Sequence, residues 1–229
     1  MQYVRKNRKL FVLLRGNLNN ERVMKRILIA LMLAMPMAMS AQDNTWERIE
    51  QEPAEPNNPN AKYLAENAVP LVDGKVTWTT TIEAPGKSAA QIYDILLAQL
   101  TKMTQEPNQL ENSFVAIKDS AKHKIGAVYH EWLVFKSVTF SLDRTQFSFQ
   151  LLCTCSDGKA EVEMTRIYYN YDIDRKPSRY IAEEWITDEY AVNKKRTKLY
   201  PISGKFRRKT IDRKDFIFEK LNTLLNPSK

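Results

Sequence analysis

The sequence predicts an α+β domain: an antiparallel sheet of about five strands, with one helix after the first strand and a second helix at the C-terminal end, both on one face. Three observations support this fold class. Apolar and polar residues alternate in several separate runs. A helix-start signature, Ser88 with Gln91 three residues later, follows the first run. An apolar stripe at helical spacing closes the chain.

A targeting segment precedes this domain. Met24-Lys25-Arg26 is followed by an apolar run and a small-residue end at Ser40-Ala41, the pattern of a secretory signal peptide over residues 24–41. We therefore expect an exported protein, periplasmic or extracellular, whose mature chain begins at Gln42. Residues 1–23 have no role in such a signal, and we interpret them as an over-called N-terminal extension. No cysteine follows the apolar run, so we do not expect a lipoprotein.

The remaining chain divides into a leader and one domain. Residues 42–61 are polar and acidic and contain three prolines, which predicts a flexible leader. Residues 62–229 are long enough for a single domain with one core. The chain has 35 Lys+Arg and 27 Asp+Glu, of which residues 1–41 hold 8 bases and one acid, so the mature chain is nearly neutral. Residues 193–229 carry 12 bases and 3 acids, which makes the C-terminal part basic and the body acidic.

The predicted elements follow in a simple order. Residues 76–82 alternate as a first strand, and the helix then covers residues 89–103. Four further strand signals lie at residues 113–118, 129–135, 147–155 and 160–173. An Asp157-Gly158 hairpin turn joins the last two strands. The apolar face of the last strand changes after Met164, so we expect a β-bulge near Thr165-Arg166.

The C-terminal part is predicted to hold a loop, a short helix and a final helix. Residues 174–179 have the composition of a polar loop, residues 182–190 of a short helix, and residues 194–209 of an extended basic stretch. The final helix is expected to begin near Asp212.

The chain lacks the motifs of common enzyme classes. His130-Glu131 has no second histidine at the metalloprotease spacing, and no Gly-x-Ser-x-Gly elbow is present. Cys153 and Cys155, two residues apart on a strand, are too distant for a disulfide, and we expect both to be reduced and buried. We therefore expect a non-enzyme with no catalytic residue, no metal and no cofactor.

The best candidate for a functional surface is the basic and aromatic C-terminal stretch. The cations that could contact an anion or a partner are Lys194, Lys195, Arg196, Lys198, Lys205, Arg207, Arg208 and Lys209. The candidate aromatic contacts are Trp185, Tyr190 and Tyr200. Arg207 and Arg208 face opposite sides of an extended segment, so we expect part of this charge at the surface. The competing interpretation is that the aromatic residues pack in the core and the cations balance the acidic body.

Several segments resemble a known family. They are residues 69–76, 84–88, 133–137, 141–145, 180–188, 197–200 and 203–212, with Ala191, Asn193, Lys194 and Lys195. Together they resemble the secreted bacterial domain-of-unknown-function family 4468, described as having a TATA-box-binding-protein-like fold, over most of the chain from about residue 62. The resemblance implies a curved antiparallel sheet with helices on one face. The family brings no established activity, cofactor or catalytic residue, and the fold does not imply DNA binding.

These observations predict an exported, non-catalytic binding module that recognises a partner protein or an envelope glycan or lipid. We expect no nucleic acid as a partner, and no transmembrane helix in the mature chain. The alternative is a hydrophobic-ligand carrier or enzyme on a helix-grip-like fold, which shares the strand, helix, antiparallel sheet and long C-terminal helix. That alternative requires a large cavity beneath the last helix.

Overall fold

A computed structural model describes residues 58–138, 141–173 and 175–227. The predicted N-terminal extension, the signal peptide and most of the leader lie outside these residues. The helices are α1 (Ala61–Leu64), α2 (Ala89–Met103), α3 (Asp188–Ala191) and α4 (Ser203–Leu225), with a 3-10 turn at Ala182–Glu184. The strands are β1 (Leu71–Val72), β2 (Lys75–Val76), β3 (Trp78–Glu83), β4 (Phe114–Asp119), β5 (Lys124–Val138), β6 (Ser141–Ser156), β7 (Lys159–Tyr171) and β8 (Ser178–Ile181).

Six of these strands form one antiparallel sheet. Its order is β3-β7-β6-β5-β4, and β8 also pairs with β7. β3 pairs with the first half of β7 and β8 with its second half, so both lie along the same edge of β7. The predicted fold class is confirmed, with one strand more in this sheet than predicted. β8 was missed because it has only four residues and follows Lys176-Pro177, which is typical of a loop.

The predicted bulge lies in β7. Ser148 of β6 pairs with Tyr168, whereas Gln150 pairs with Thr165, so one residue of β6 opposes two of β7. Arg166 lies in this irregularity with a φ of 54°. The strand therefore keeps its apolar residues on the same face before and after the bulge.

The start of α2 is fixed as the sequence predicts. The Ser88 hydroxyl accepts a hydrogen bond from the Gln91 N–H, and the Gln91 side chain accepts one from the Ser88 N–H. Asp157 in the β6–β7 turn accepts a third bond, of 2.8 Å, from the Ala89 N–H. Gly158 in the same turn has a φ of 77°, which favours glycine. The hairpin turn thus also anchors the helix.

The C-terminal helix differs from the prediction. α4 begins at Ser203 and not near Asp212, so the expectation of an extended basic stretch up to residue 209 is wrong. Packing decides this, because Phe206, Thr210 and Arg213 follow helical spacing and are fully buried. The short helix predicted over residues 182–190 is also divided, into the 3-10 turn and α3.

The core lies between the sheet and the two long helices. Its fully buried apolar members include Tyr129, Phe147, Phe149 and Tyr169 from the sheet, Ile92, Leu96 and Leu100 from α2, and Phe206, Ile217 and Leu221 from α4. Cys153 and Cys155 belong to it, which confirms that both are buried. Burial raises the pKa of both thiols, that of Cys155 to about 11.

The opposite face of the sheet, which we refer to as the open face, carries partly exposed side chains. Examples are Val128, His130 and Trp132 on β5, Gln146 and Gln150 on β6, and Tyr168 and Asn170 on β7. These positions alternate along each strand with the buried core positions.

Candidate functional site

Residues 193–202, between α3 and α4, form a closed loop that we refer to as the basic loop. Val192 and Leu199 flank most of it as an antiparallel bridge. The Asn193 side-chain oxygen accepts hydrogen bonds from the N–H groups of Thr197 (2.8 Å) and Lys198 (3.0 Å). Asparagine is suited to such turns because its side chain replaces a missing backbone partner. The loop is therefore held in one shape by its own bonds.

Three lysines of the basic loop point to solvent. Lys194, Lys195 and Lys198 are exposed, and among the described residues none of their ammonium groups has an ion pair. Arg196 differs, since its guanidinium lies 2.6 Å from Asp188 and donates to the Leu64 carbonyl at 3.1 Å. The first three cations are thus available to a ligand, whereas Arg196 holds the loop against α1 and α3.

Exposed apolar side chains accompany these lysines. Ile202 is 60% exposed, and Tyr190 and Tyr200 are each 43% exposed. They lie close together because the Tyr200 N–H donates to the Ala191 carbonyl, and the Ser203 hydroxyl donates to the Tyr190 carbonyl. The predicted aromatic contacts Tyr190 and Tyr200 are therefore neighbours, and Tyr200 lies on the same loop as the lysines. Ile202 was missed, because a single apolar residue after a proline gives no periodic signal.

Trp185, the third predicted aromatic contact, lies elsewhere. Its ring stacks on Tyr180 at 3.9 Å between centroids and meets Phe206 edge-on at 5.8 Å. It is partly buried against the core, so here the competing interpretation of core packing describes the residue correctly.

Arg207 was predicted as a surface cation, and this is wrong. Its side chain is fully buried. The guanidinium donates to the carbonyls of Tyr63 (2.7 Å) and Ile186 (2.8 Å) and to the Asp188 carboxylate (2.7 Å). The helix turns this side chain toward α1 and α3, which an extended segment would not do. Arg207 therefore joins three parts of the fold.

Lys205 also has hydrogen-bond partners within the domain. Its ammonium donates to the Asp143 carboxylate at 2.7 Å and to the Tyr171 hydroxyl at 2.9 Å. Burial opposes its charge, but the two hydrogen bonds and the charge interactions with Asp143 and Tyr171 together outweigh burial and raise the pKa of Lys205. Lys209 likewise has a partner. Arg208 is partly exposed, and within the described part of the chain its side chain has no ion pair.

A buried charged cluster beneath α4 was not predicted. The Arg213 guanidinium binds both carboxylate oxygens of Glu131 at 2.7 Å, and both side chains are fully buried. Glu106 lies at its edge and pairs with Lys220 at 2.7 Å. The sequence did contain a signal for the burial of Glu131. In the alternating pattern of β5 this residue falls on the inward face, together with Tyr129 and Leu133.

The described residues offer no metal centre. Within residues 58–227, apart from the three that are not described, no group of three or more His, Cys, Asp or Glu side chains is placed to hold a metal ion. His130 is bonded to the Ser148 hydroxyl at 2.8 Å. Partial burial lowers its pKa, which keeps the imidazole neutral at neutral pH.

Comparisons with known proteins agree with this architecture. A family model described as a domain of unknown function (DUF4468) with TBP-like fold matches residues 78–170. A crystal structure of a DUF4468 family protein from Bacteroides ovatus ATCC 8483 is 40% identical, with a TM-score of 0.68 over 74% of this chain and 96% of that one. A TBP-like protein from Parabacteroides distasonis ATCC 8503 is 21% identical, with a TM-score of 0.57 over 70% of this chain and 99% of that one.

No curated protein matches the chain. The identity and coverage of the Bacteroides ovatus relative, together with the family model, are nevertheless sufficient for assignment. The curved antiparallel sheet with its helices agrees with the TBP-like fold that the family description names. The chain therefore belongs to the DUF4468 family of domains with a TBP-like fold.

Proposed function

We propose that this protein is an exported, non-catalytic binding module that docks on an anionic lipid surface of the cell envelope through the basic loop. The observation that carries the proposal is that one closed loop holds both exposed apolar side chains and three lysines that have no ion pair within the described part of the chain. Export rests on the signal-peptide pattern of residues 24–41.

The lysines supply the electrostatic part of the attraction. The basic loop contributes Lys194, Lys195 and Lys198 and contains no acidic residue. A lysine close to an anionic membrane contributes about 1 kcal/mol, so the three together contribute about 3 kcal/mol. Because 1.4 kcal/mol is a factor of ten, their removal should weaken binding roughly 100-fold.

The apolar side chains favour a lipid surface over a dissolved anion. Ile202 gains nothing from an anion in water, but burying such a side chain completely is worth about 1.5–3 kcal/mol. Tyrosines such as Tyr190 and Tyr200 suit the headgroup region, because one end of the ring is apolar and the other is polar. Among the described residues, no helix is both long and apolar enough to traverse a bilayer.

The carrier alternative has less support. It requires a large cavity beneath the last helix, and that region contains the fully buried side chains of Phe206, Arg213 and Ile217. Phe206 is in ring contact there with Tyr169 of the sheet, at 5.1 Å between centroids.

The proposal predicts a measurable preference for anionic vesicles. The mature chain from Gln42 should sediment with phosphatidylglycerol-containing vesicles at low salt and not with phosphatidylcholine vesicles, and added salt should release it. The triple variant Lys194→Gln, Lys195→Gln, Lys198→Gln should bind roughly 100-fold more weakly. Ile202→Ser should reduce binding about tenfold while leaving the salt dependence unchanged.

A control variant that removes cations from another face separates binding through the basic loop from general electrostatic attraction. The double variant Arg144→Gln, Arg179→Gln removes two cations from the open face and should retain vesicle binding. Equal losses in this variant and in the triple variant would contradict the assignment of the basic loop. Vesicle binding by a folded triple variant at the level of the unmodified protein would contradict the proposed function itself.

A further inference from the structure

The open face carries a second cluster of side chains, independent of the basic loop. One row crosses four strands as Trp132, Gln146, Asn170 and Arg179. The neighbouring row is His130, Ser148, Tyr168 and Ile181. Strands lie about 4.8 Å apart, so each row spans about 14 Å. With Arg144, the polar and aromatic members of these rows form what we refer to as the open-face cluster.

Two arginines of the open-face cluster lie on aromatic rings. The Arg144 guanidinium carbon is 3.6 Å from the centroid of Trp132, and that of Arg179 is 4.2 Å from the centroid of Tyr168. Neither guanidinium has a carboxylate partner in the described part of the chain. A guanidinium stacked on a ring keeps its N–H groups free at the edge and is held in a fixed orientation. Each is therefore prepared to bind a carboxylate through two parallel hydrogen bonds.

Neutral hydrogen-bonding groups lie between the two arginines. The Asn170 amide donates to the Gln146 side-chain oxygen at 3.4 Å, and His130 is bonded to the Ser148 hydroxyl at 2.8 Å. Each amide keeps further donor or acceptor capacity after this bond. Such groups suit hydroxyl groups of a ligand, which both donate and accept.

The cluster continues into a surface depression of about 160 Å³ at its Trp132 end. The acids in its lining already have partners, because Asp143 pairs with Lys205 at 2.7 Å and Asp172 with Arg175 at 2.9 Å. Among the described residues, the charge at this end that has no ion pair is consequently that of Arg144.

We propose that the open-face cluster binds an acidic glycan, with sugar carboxylates on Arg144 and Arg179 and sugar hydroxyls on the amides between them. From strand spacing and rise, the two arginine positions are roughly 12 Å apart, a distance that a short oligosaccharide spans. An acidic peptide is a poorer match, since extended peptides usually pair with a sheet edge through their backbone and not with a sheet face.

Oligogalacturonate, a chain of carboxylate-bearing sugars, is the probe for this site, and its methyl ester is the neutral control. The mature chain should bind oligogalacturonate, but not the ester, in titration calorimetry. In a ¹H–¹⁵N spectrum the Trp132 indole and the Gln146 and Asn170 side-chain amides should shift. The double variant Arg144→Gln, Arg179→Gln should bind at least tenfold more weakly. The triple lysine variant of the basic loop should bind as the unmodified protein does.

The inference would be overturned by no binding of oligogalacturonate, by equal binding of the ester, or by undiminished binding of a folded double variant. Spectral shifts confined to the basic loop would overturn it as well. Tighter binding of polyglutamate or of a single-stranded oligonucleotide than of the glycan would also reject it, in favour of an acidic peptide or a nucleic acid. Because this site and the basic loop are altered by different variants, the failure of one proposal leaves the other standing.

Discussion

Replacing Arg213 by Met should destabilise the domain by about 3–5 kcal/mol, because it leaves the fully buried Glu131 carboxylate without its charged partner. The Glu106 carboxylate is less affected by the substitution, since it keeps its ion pair with Lys220 at 2.7 Å. Urea unfolding monitored by circular dichroism measures this change as a lower midpoint at an unchanged slope.

A second variant shows whether the loss of stability comes from the Glu131 carboxylate that is left without a partner. Removing both partners, as in Glu131→Leu with Arg213→Met, should recover much of the stability, because a buried ion pair is often replaceable by apolar side chains. A double variant that is less stable than Arg213→Met alone would contradict this explanation. Arg213→Met as stable as the unmodified protein would contradict the burial of the pair.

Arg207→Met should cost about 4 kcal/mol of unfolding free energy. Three hydrogen bonds from a charged donor are lost, and each is worth about 1.5–3 kcal/mol before relaxation of the site. The carbonyl groups of Tyr63 and Ile186 lose their partner at the same time.

The adjacent residue is a matched control for this prediction. Arg208→Met makes the same chemical change one position along α4, where the side chain is partly exposed and has no ion pair among the described residues. It should change stability by less than about 0.5 kcal/mol. Similar midpoints for the two variants in urea unfolding would refute the division of this basic segment into buried and surface cations.

Local signals in the sequence predicted much of the fold. The capping box at Ser88, the turn at Asp157-Gly158 and the bulge near Arg166 depend on neighbouring residues, and all three are observed. The start of α4 was missed because Ser203 and Gly204 are weak helix formers. A methyl group on Gly204 would come within 2.7 Å of the Leu199 side chain, so close packing explains this glycine.

The candidate site was predictable only in part. Alternation and helical spacing separate the two faces of an element, but they do not distinguish a solvated cation from one that is buried with distant partners. Arg207 reaches Tyr63, 144 residues away in sequence, and Arg213 reaches Glu131, 82 residues away. Such partners are known only once the fold is known. The exposure of the lysines in the basic loop could be predicted without knowledge of the fold, because a short polar loop is exposed in almost any fold.

The most direct test of the proposed function is a fluorescent reporter at Ile202. The variant Ile202→Cys can be labelled selectively with a nitrobenzoxadiazole group, because Cys153 and Cys155 are buried and burial raises their thiol pKa values. The matched control is Phe114→Cys, at a position on β4 that is 51% exposed.

Docking through the basic loop predicts that phosphatidylglycerol-containing vesicles increase the Ile202→Cys label emission and shift it to shorter wavelength. The same vesicles should leave the Phe114→Cys label unchanged, and adding the triple lysine substitution should abolish the Ile202→Cys response. An unchanged spectrum at residue 202 while the protein sediments with the vesicles, or an equal shift at residue 114, would contradict docking through this loop.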